Sequence, residues 1–258
     1  MNQKPTQMKR VLFSAAGVLA FTAIFAQGRT DFPMKPEMTE IWDPEVTVIT
    51  PGETVVDAPS DAIVLFDGVN LSTEWTNDAG AEPGWTVADG SVTVAKGKGT
   101  IKTKRVFNDF QLHIEWRSPS EVVGESQGRG NSGVFLQGIY EVQVLDNYNN
   151  RTYRNGQAGS LYKQHPPLVN ACKAPGVWQV YDIIYTAPRF NSNGTYFTSP
   201  TVTVLHNGVL VQNHVALRGP TPYIGIPEYF VKPHGAGPIS LQDHGNPVSY
   251  RNIWIREL

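Results

Sequence analysis

A chain of 258 residues with 40% hydrophobic content, 24 glycines, 19 prolines and only four methionines has the make-up of a turn-rich β-protein rather than a helical bundle. Its net charge of -2, with no basic patch interleaved with aromatics, argues against a nucleic-acid partner. The sole cysteine, Cys172, has no partner for an internal disulfide, so the fold must be held by its core and Cys172 is expected as a free buried thiol.

Lys4, Lys9 and Arg10 precede an apolar run at 11–25 that ends in Ala26 and Gln27. This is the order of a secretory signal peptide, with cleavage expected after Ala26. The run of about 15 residues is short for a bilayer span of about 20. The chain is therefore expected to be exported, to the periplasm or the outside of a bacterial cell, with no membrane span after cleavage. No cysteine stands near the cleavage point to accept a lipid. Residues 27–60 carry Pro33, Pro36, Pro44, Pro51 and Pro59, and prolines at this density block ladder formation. They predict an extended arm leading into a domain at 61–258.

That domain opens with the run Ile63-Val64-Leu65-Phe66. Short apolar or alternating runs then recur at 85–87, 91–95, 100–103, 110–117, 134–137, 140–145, 178–185, 201–206, 209–213, 239–242 and 249–256. Many short strands without a helical period predict an all-β sandwich or barrel. Asn207-Gly208 marks a hairpin between two of them, and no repeat has solenoid or propeller spacing. Two long irregular stretches, 147–175 and 219–238, carry Tyr148, Tyr153, Tyr162, His165, Tyr223, Tyr229 and His234. Loops of that length in a compact domain commonly build a site, and aromatic rings suit the apolar C-H faces of sugars.

Within 131–146, Asn-Ser-Gly-Val-Phe-Leu-Gln-Gly-Ile-Tyr-Glu-Val-Gln-Val-Leu-Asp, two strands fold about Gly138. Alternation puts Glu141 and Gln143 on one face, and a bulge near Val144 or Leu145 would bring Asp146 beside them. Two carboxylates and an amide on one face are what breaking a glycosidic bond or enolising a sugar ketone requires. The plain alternative is a polar strand face that meets water. In 241–245, Gln242 and His244 share a face, while Asp243 lies opposite or caps the turn before Gly245. Imidazole suits proton transfer near neutral pH, so His244 joins Glu141 and Asp146 as the candidate catalytic set. Candidate substrate-binding residues are Asn131, Gln143, Tyr162, His165, Gln242, Asp243 and Arg251, the last equally suited to pairing with an acidic residue. Glu115 opposes the apolar set Leu112, Ile114 and Trp116, and lines either the same groove or a solvated face. His165, His244, Glu141 and Asp146 are suitable metal-ligand types without a close-spaced pair, which leaves a divalent cation open as a Lewis acid.

Several segments in order resemble one family: 63–68 (Ile-Val-Leu-Phe-Asp-Gly), 110–117 (Phe-Gln-Leu-His-Ile-Glu-Trp-Arg), 131–133, 140–146, 161–170, 178–183, 206–209, 241–247 and 251–254. Together they resemble the secreted 3-keto-disaccharide hydrolase domain family. The resemblance implies a concanavalin A-like jelly roll of two curved antiparallel sheets, with ligands on the concave face. It also implies action on sugars oxidised to a ketone at the third ring carbon. The Glu-x-Gln-x-x-Asp run is similar to the Glu-x-Asp-x-x-Glu strand of laminarinase-like glycosidases of the same fold. Gln143 and the shorter Asp146 depart from that strand, which speaks against a retaining mechanism with carboxyl groups about 5 Å apart. In the keto-sugar chemistry a base removes the proton beside the ketone, the glycosidic oxygen leaves, and water adds back. Glu141, Asp146 and His244 would share the proton transfers, while Gln143 and Gln242 bind hydroxyls. No dinucleotide fingerprint is present, so oxidation of the sugar falls to a separate upstream enzyme. The rival readings are a non-catalytic lectin-like module, a conventional laminarinase-like glycosidase and a surface adhesion protein.

Overall fold

A computed structural model describes residues 33–227 and 232–258; the expected signal peptide and Tyr229 lie outside the described residues. The chain divides into two units, Met1–Thr47 and Val48–Leu258. In the first, the described part holds one 3-10 turn at Pro36–Met38. The second contains the strands. In chain order these begin with β1 (Ile63–Phe66), β2 (Trp75–Asn77), β3 (Thr86–Ala88), β4 (Ser91–Thr93) and β5 (Ile101–Thr103). There follow β6 (Phe110–Arg117), β7 (Ser132–Leu136), β8 (Tyr140–Val144), β9 (Gln179–Thr186) and β10 (Arg189–Phe190). The last are β11 (Tyr196–Thr198), β12 (Thr201–His206), β13 (Val209–Ala216), β14 (Ser240–Leu241) and β15 (Ser249–Glu257).

Two main antiparallel sheets result, with β10 and β11 forming a separate two-stranded ribbon. The larger runs β13-β12-β9-β6-β15-β4-β3, with β1 also paired to β15; the smaller runs β2-β5-β14-β7-β8. The expected all-β sandwich is what the chain forms. Its core follows from alternation: Leu112, Ile114 and Trp116 of β6 and Tyr181, Ile183 and Tyr185 of β9 are buried in one cluster with Val134, Leu136, Tyr140, Val142 and Val144 of β7 and β8. Side chains of that size each contribute roughly 1.5–3 kcal/mol on full burial. Polar tips within the core reach across it. The Tyr181 hydroxyl donates to the Gln143 carbonyl at 2.8 Å, and the Tyr250 hydroxyl donates to Ser132 Oγ at 2.6 Å. Both bonds fix the back of the β7–β8 ribbon against the larger sheet.

The expected turns also form. Asn207 and Gly208 take φ of 54° and 77°, and Gln137 and Gly138 take 52° and 73°, the positive values that hairpin turns of the primed type demand. Gln137 tolerates this because its side chain is tied down: Nε2 donates to the Phe107 carbonyl at 2.9 Å and Oε1 accepts from the Tyr185 hydroxyl at 2.8 Å. The outer edge of β8 is not left bare. Gln143 N–H donates to the Ser160 carbonyl at 3.0 Å, Gly159 N–H to the Gln143 carbonyl at 3.0 Å, and Tyr162 N–H to the Glu141 carbonyl at 3.1 Å. The long loop after β8 thus runs along its edge, satisfying backbone groups and carrying Tyr162 to the sheet face.

Glu115 and Arg251 lie on the outer face of the larger sheet. Arg251 Nε donates to Glu115 Oε2 at 2.7 Å, and its guanidinium sits 4.2 Å from the Trp178 ring centre. Burial opposes the charge on Glu115, yet bonds from His113, Asn252 and Arg251 hold its carboxyl down at about 2. His113 is buried with Nδ1 2.7 Å from Asp182 Oδ1, which raises its pKa despite burial. The segment before β1 covers this cluster, the Val56 carbonyl accepting from Asn252 Nδ2 at 2.9 Å and from Trp254 Nε1 at 3.0 Å.

Candidate active site

The site lies on the face of the smaller sheet turned away from the core. Alternation along β8 sends Tyr140, Val142 and Val144 inward and Glu141 and Gln143 outward. The β7 partners across from them are Gly133, opposite Gln143, and Phe135, opposite Glu141. Gln242 follows β14 beside Gly133, its N–H donating to the Gly133 carbonyl at 3.0 Å. Asn131, Phe135, Glu141, Gln143, Gln242 and His244 from the sheet side, with Tyr162, Thr221 and Tyr223 from the loops, line a pocket of about 330 Å³.

Glu141 is 5% exposed, has no side-chain hydrogen bond among the described residues, and burial pushes its carboxyl up to about 8. Gly133 makes room for it, since a β-carbon there would stand 2.6 Å from Glu141 Oε1. Gln143 is oriented: Nε2 donates to Gln127 Oε1 and to Asn131 Oδ1, both at 3.2 Å, leaving Oε1 buried without a partner. Gln242 Oε1 is likewise buried and unpaired. Buried acceptors of this kind are costly unless a donor arrives, and sugar hydroxyls are donors. Tyr162 adds a hydroxyl 2.7 Å from that of Tyr153, and burial holds its phenol above the usual range, so it stays protonated. Lys163 Nζ lies 4.6 Å from the Tyr223 ring centre and 5.6 Å from that of Tyr162 and bonds to the Tyr223 carbonyl, so it pins the two loop walls together.

Of the candidate residues, the structure gathers Asn131, Glu141, Gln143, Tyr162, Gln242 and His244 around one pocket. It does not bring Asp146 there. β8 ends at Val144, Leu145 turns into the core, and no bulge swings Asp146 round. Its carboxylate accepts instead from Arg129 Nε at 2.7 Å and from the Tyr148 N–H at 3.1 Å, beside a separate hollow near Ser118. Asp243 caps its turn, accepting from the N–H groups of Gly245 at 2.9 Å and Gly99 at 3.0 Å. His165 Nε2 faces the Ala216 carbonyl at 3.1 Å, and burial together with Arg218 lowers its pKa. Arg251 belongs to the other sheet with Glu115. Thr221 and Gln127 were not legible as site residues: Thr221 sits in an irregular loop and Gln127 in the short 3-10 turn Ser126–Gly128, and only the folded chain places Thr221 Oγ1 on the Glu141 N–H at 3.0 Å and Gln127 Oε1 on Gln143 Nε2. Among the described residues, no three His, Cys, Asp or Glu side chains converge as a metal-ligand set, so the cation weighed from sequence finds no fitting cluster. Cys172 is a free thiol that burial pushes up to about 12.

Removing Asp146 tests this placement. Asp146→Ala leaves the half-buried Arg129 without its counter-charge and should lower stability by about 3 kcal/mol. Turnover by the folded variant should stay within about tenfold of wild type, because no reacting group is lost. Denaturant titration and steady-state rates check the two halves.

An antiparallel β-sandwich with amides, aromatic rings and one desolvated carboxyl gathered on a sheet face is the architecture of a carbohydrate-active protein. Residues 61–256 match the model of the 3-keto-alpha-glucoside-1,2-lyase-like domain, and the chain belongs to that family. It is 58% identical to a proposed glycosyl hydrolase from Parabacteroides distasonis ATCC 8503, with a TM-score of 0.83 over 87% of this chain and 97% of the other. A second such protein of that organism is 20% identical with a TM-score of 0.55, covering 77% of this chain and 94% of its own, and speaks to the fold alone. No curated protein matches the chain. No helix among the described residues is long and apolar enough to cross a membrane.

Proposed function

We propose that the domain cleaves the glycosidic bond of 3-keto-glucosides by elimination, with Glu141 as the base. The carrying observation is the Glu141 carboxyl, unpartnered, desolvated and raised to about 8, beside two orphaned amide oxygens. A carboxylate of that basicity is matched to removing a carbon-bound proton near neutral pH. The ketone at C3 acidifies the C2 proton, which Glu141 takes. The electron pair is held first on the C3 oxygen as an enolate, for which the Tyr162 hydroxyl is a donor. As the C3 carbonyl re-forms, the C1–C2 double bond forms and the C1–O bond breaks. His244, at the pocket rim, gives the departing oxygen its proton. The products are an enone sugar and the free alcohol, and water added at C1 makes the net change a hydrolysis. No step changes the oxidation level, so the ketone must come from a separate oxidising enzyme. The family description and the 58% identical relative support glycoside chemistry of this kind.

A retaining glycosidase needs two carboxyl groups about 5 Å apart. Glu141 is the one carboxyl lining this pocket among the described residues, which favours the elimination route. The charged and apolar start of the sequence supports export of the chain. The deciding experiment incubates the protein with a 3-keto-disaccharide and its unoxidised parent, with and without chelator, following release of free sugar and enone absorbance. The keto form alone should be cleaved, with or without chelator. Cleavage of the parent would sink the elimination reading, and binding without cleavage would replace it with a lectin.

A further inference from the structure

Beside the pocket, and sharing Thr221 with it, lies a larger groove of about 950 Å³. Ile139, Pro220, Pro222, Ile224, Ile226 and Pro227 supply its apolar wall. Ile224 and Ile226 are 83% and 84% exposed, so these aliphatic side chains are left unpacked among the described residues. The wall is not a stray loop. Thr221 N–H donates to the Ile139 carbonyl at 3.0 Å, and Thr221 Oγ1 accepts from the Glu141 N–H at 3.0 Å, so the groove begins at the catalytic strand itself.

We infer that this groove receives the leaving group, and that the favoured substrates are 3-keto-glucosides of apolar alcohols rather than disaccharides. The inference rests on the elimination reading above. C2, from which Glu141 takes its proton, is bonded to C1, so the departing alcohol emerges within a few bonds of Glu141, whose own N–H is bonded to Thr221, the residue shared by pocket and groove. Recognition of a second sugar demands amides and carboxylates for its hydroxyls, and those of this site stand in the smaller pocket around Gln143, Gln242 and Asn131. Lys232 and His234 also line the groove, the His234 ring already engaged with the Tyr140 hydroxyl at 3.1 Å and the Gly235 carbonyl at 3.0 Å. The isoleucine and proline side chains offer no hydrogen bonds; they bind hydrocarbon by excluding water.

Methyl and hexyl 3-keto-α-glucosides test this, because their leaving alkoxides differ in apolar surface and scarcely in basicity. Wild type should favour the hexyl glucoside by about tenfold or more in kcat/KM, mostly through KM. In Ile224→Asn/Ile226→Asn, two exposed positions outside the catalytic pocket, the preference should fall to about threefold or less with the methyl glucoside unaffected. A wild-type ratio near one, or a ratio untouched in the variant, overturns the subsite. If neither glucoside is cleaved, the elimination reading fails, and the ratio of their affinities by titration calorimetry decides the subsite by the same criteria.

Discussion

Glu141→Gln is expected to lower kcat on a 3-keto-glucoside by at least about a thousandfold while substrate binding persists. The substitution keeps the size and hydrogen-bonding shape of the side chain and deletes only its ability to take a proton. A lectin-like pocket would lose little. The same variant should be more stable than wild type at pH 7.5. Glu141 ionises near 4.5 in an unfolded chain and near 8 in the native one, so the native state keeps a proton that the unfolded state has released between those values. Stability therefore declines as pH climbs through that window, in principle by a few kcal/mol. Glutamine cannot ionise, so the variant's Tm should exceed that of wild type at pH 7.5 and match it at pH 4. Equal Tm values at both would mean that Glu141 is not desolvated. The rate follows the opposite slope: wild-type kcat/KM should rise with pH toward about 8 as the carboxylate forms.

Gly133→Ala should cost about a hundredfold in kcat with the sandwich intact. Gly133 is not a positive-φ glycine, so the backbone accepts alanine without strain. The added methyl would stand 2.6 Å from Glu141 Oε1 and 3.1 Å from its Cδ and Cγ, and the carboxyl must move. A displaced base loses its line to the C2 proton and its dry surroundings together. The rising limb of the pH–rate profile should accordingly shift to lower pH, an effect that simple loss of stability would not produce. Retained activity with an unchanged profile would show that the carboxyl works from another position.

Much of this arrangement was legible because strand alternation is a rigid rule. Glu141 and Gln143 share a face since they are two residues apart on one strand, and Gln242 joins them because β14 pairs with β7. Asp146 was misplaced for the complementary reason: alternation stops where the strand stops, and the expected bulge competed with an arginine that no local pattern links to it. Alternation also says which face a residue takes without saying which sheet, so Glu115 and Arg251 were open to the same groove until pairing put β6 and β15 in the larger sheet. His165 was judged by its chemistry, and its loop spends that chemistry on a backbone carbonyl. β2, of three residues, and the β10–β11 ribbon carried too little periodicity to register.

The placement of β15 governs how the chain can be made. It follows every other strand in the sequence, yet lies inside the larger sheet between β6 and β4 and also pairs with β1, the first strand. A growing polypeptide can form the β7–β8 and β12–β13 hairpins as they appear, but its larger sheet stays split until residues 249–257 arrive. Folding is thereby deferred to the end of synthesis. Under the export proposed above, a chain that waits in this way would stay slack enough to be threaded through a narrow translocation channel, and a truncation of only its last ten or so residues would leave two half-sheets with no seam to join them.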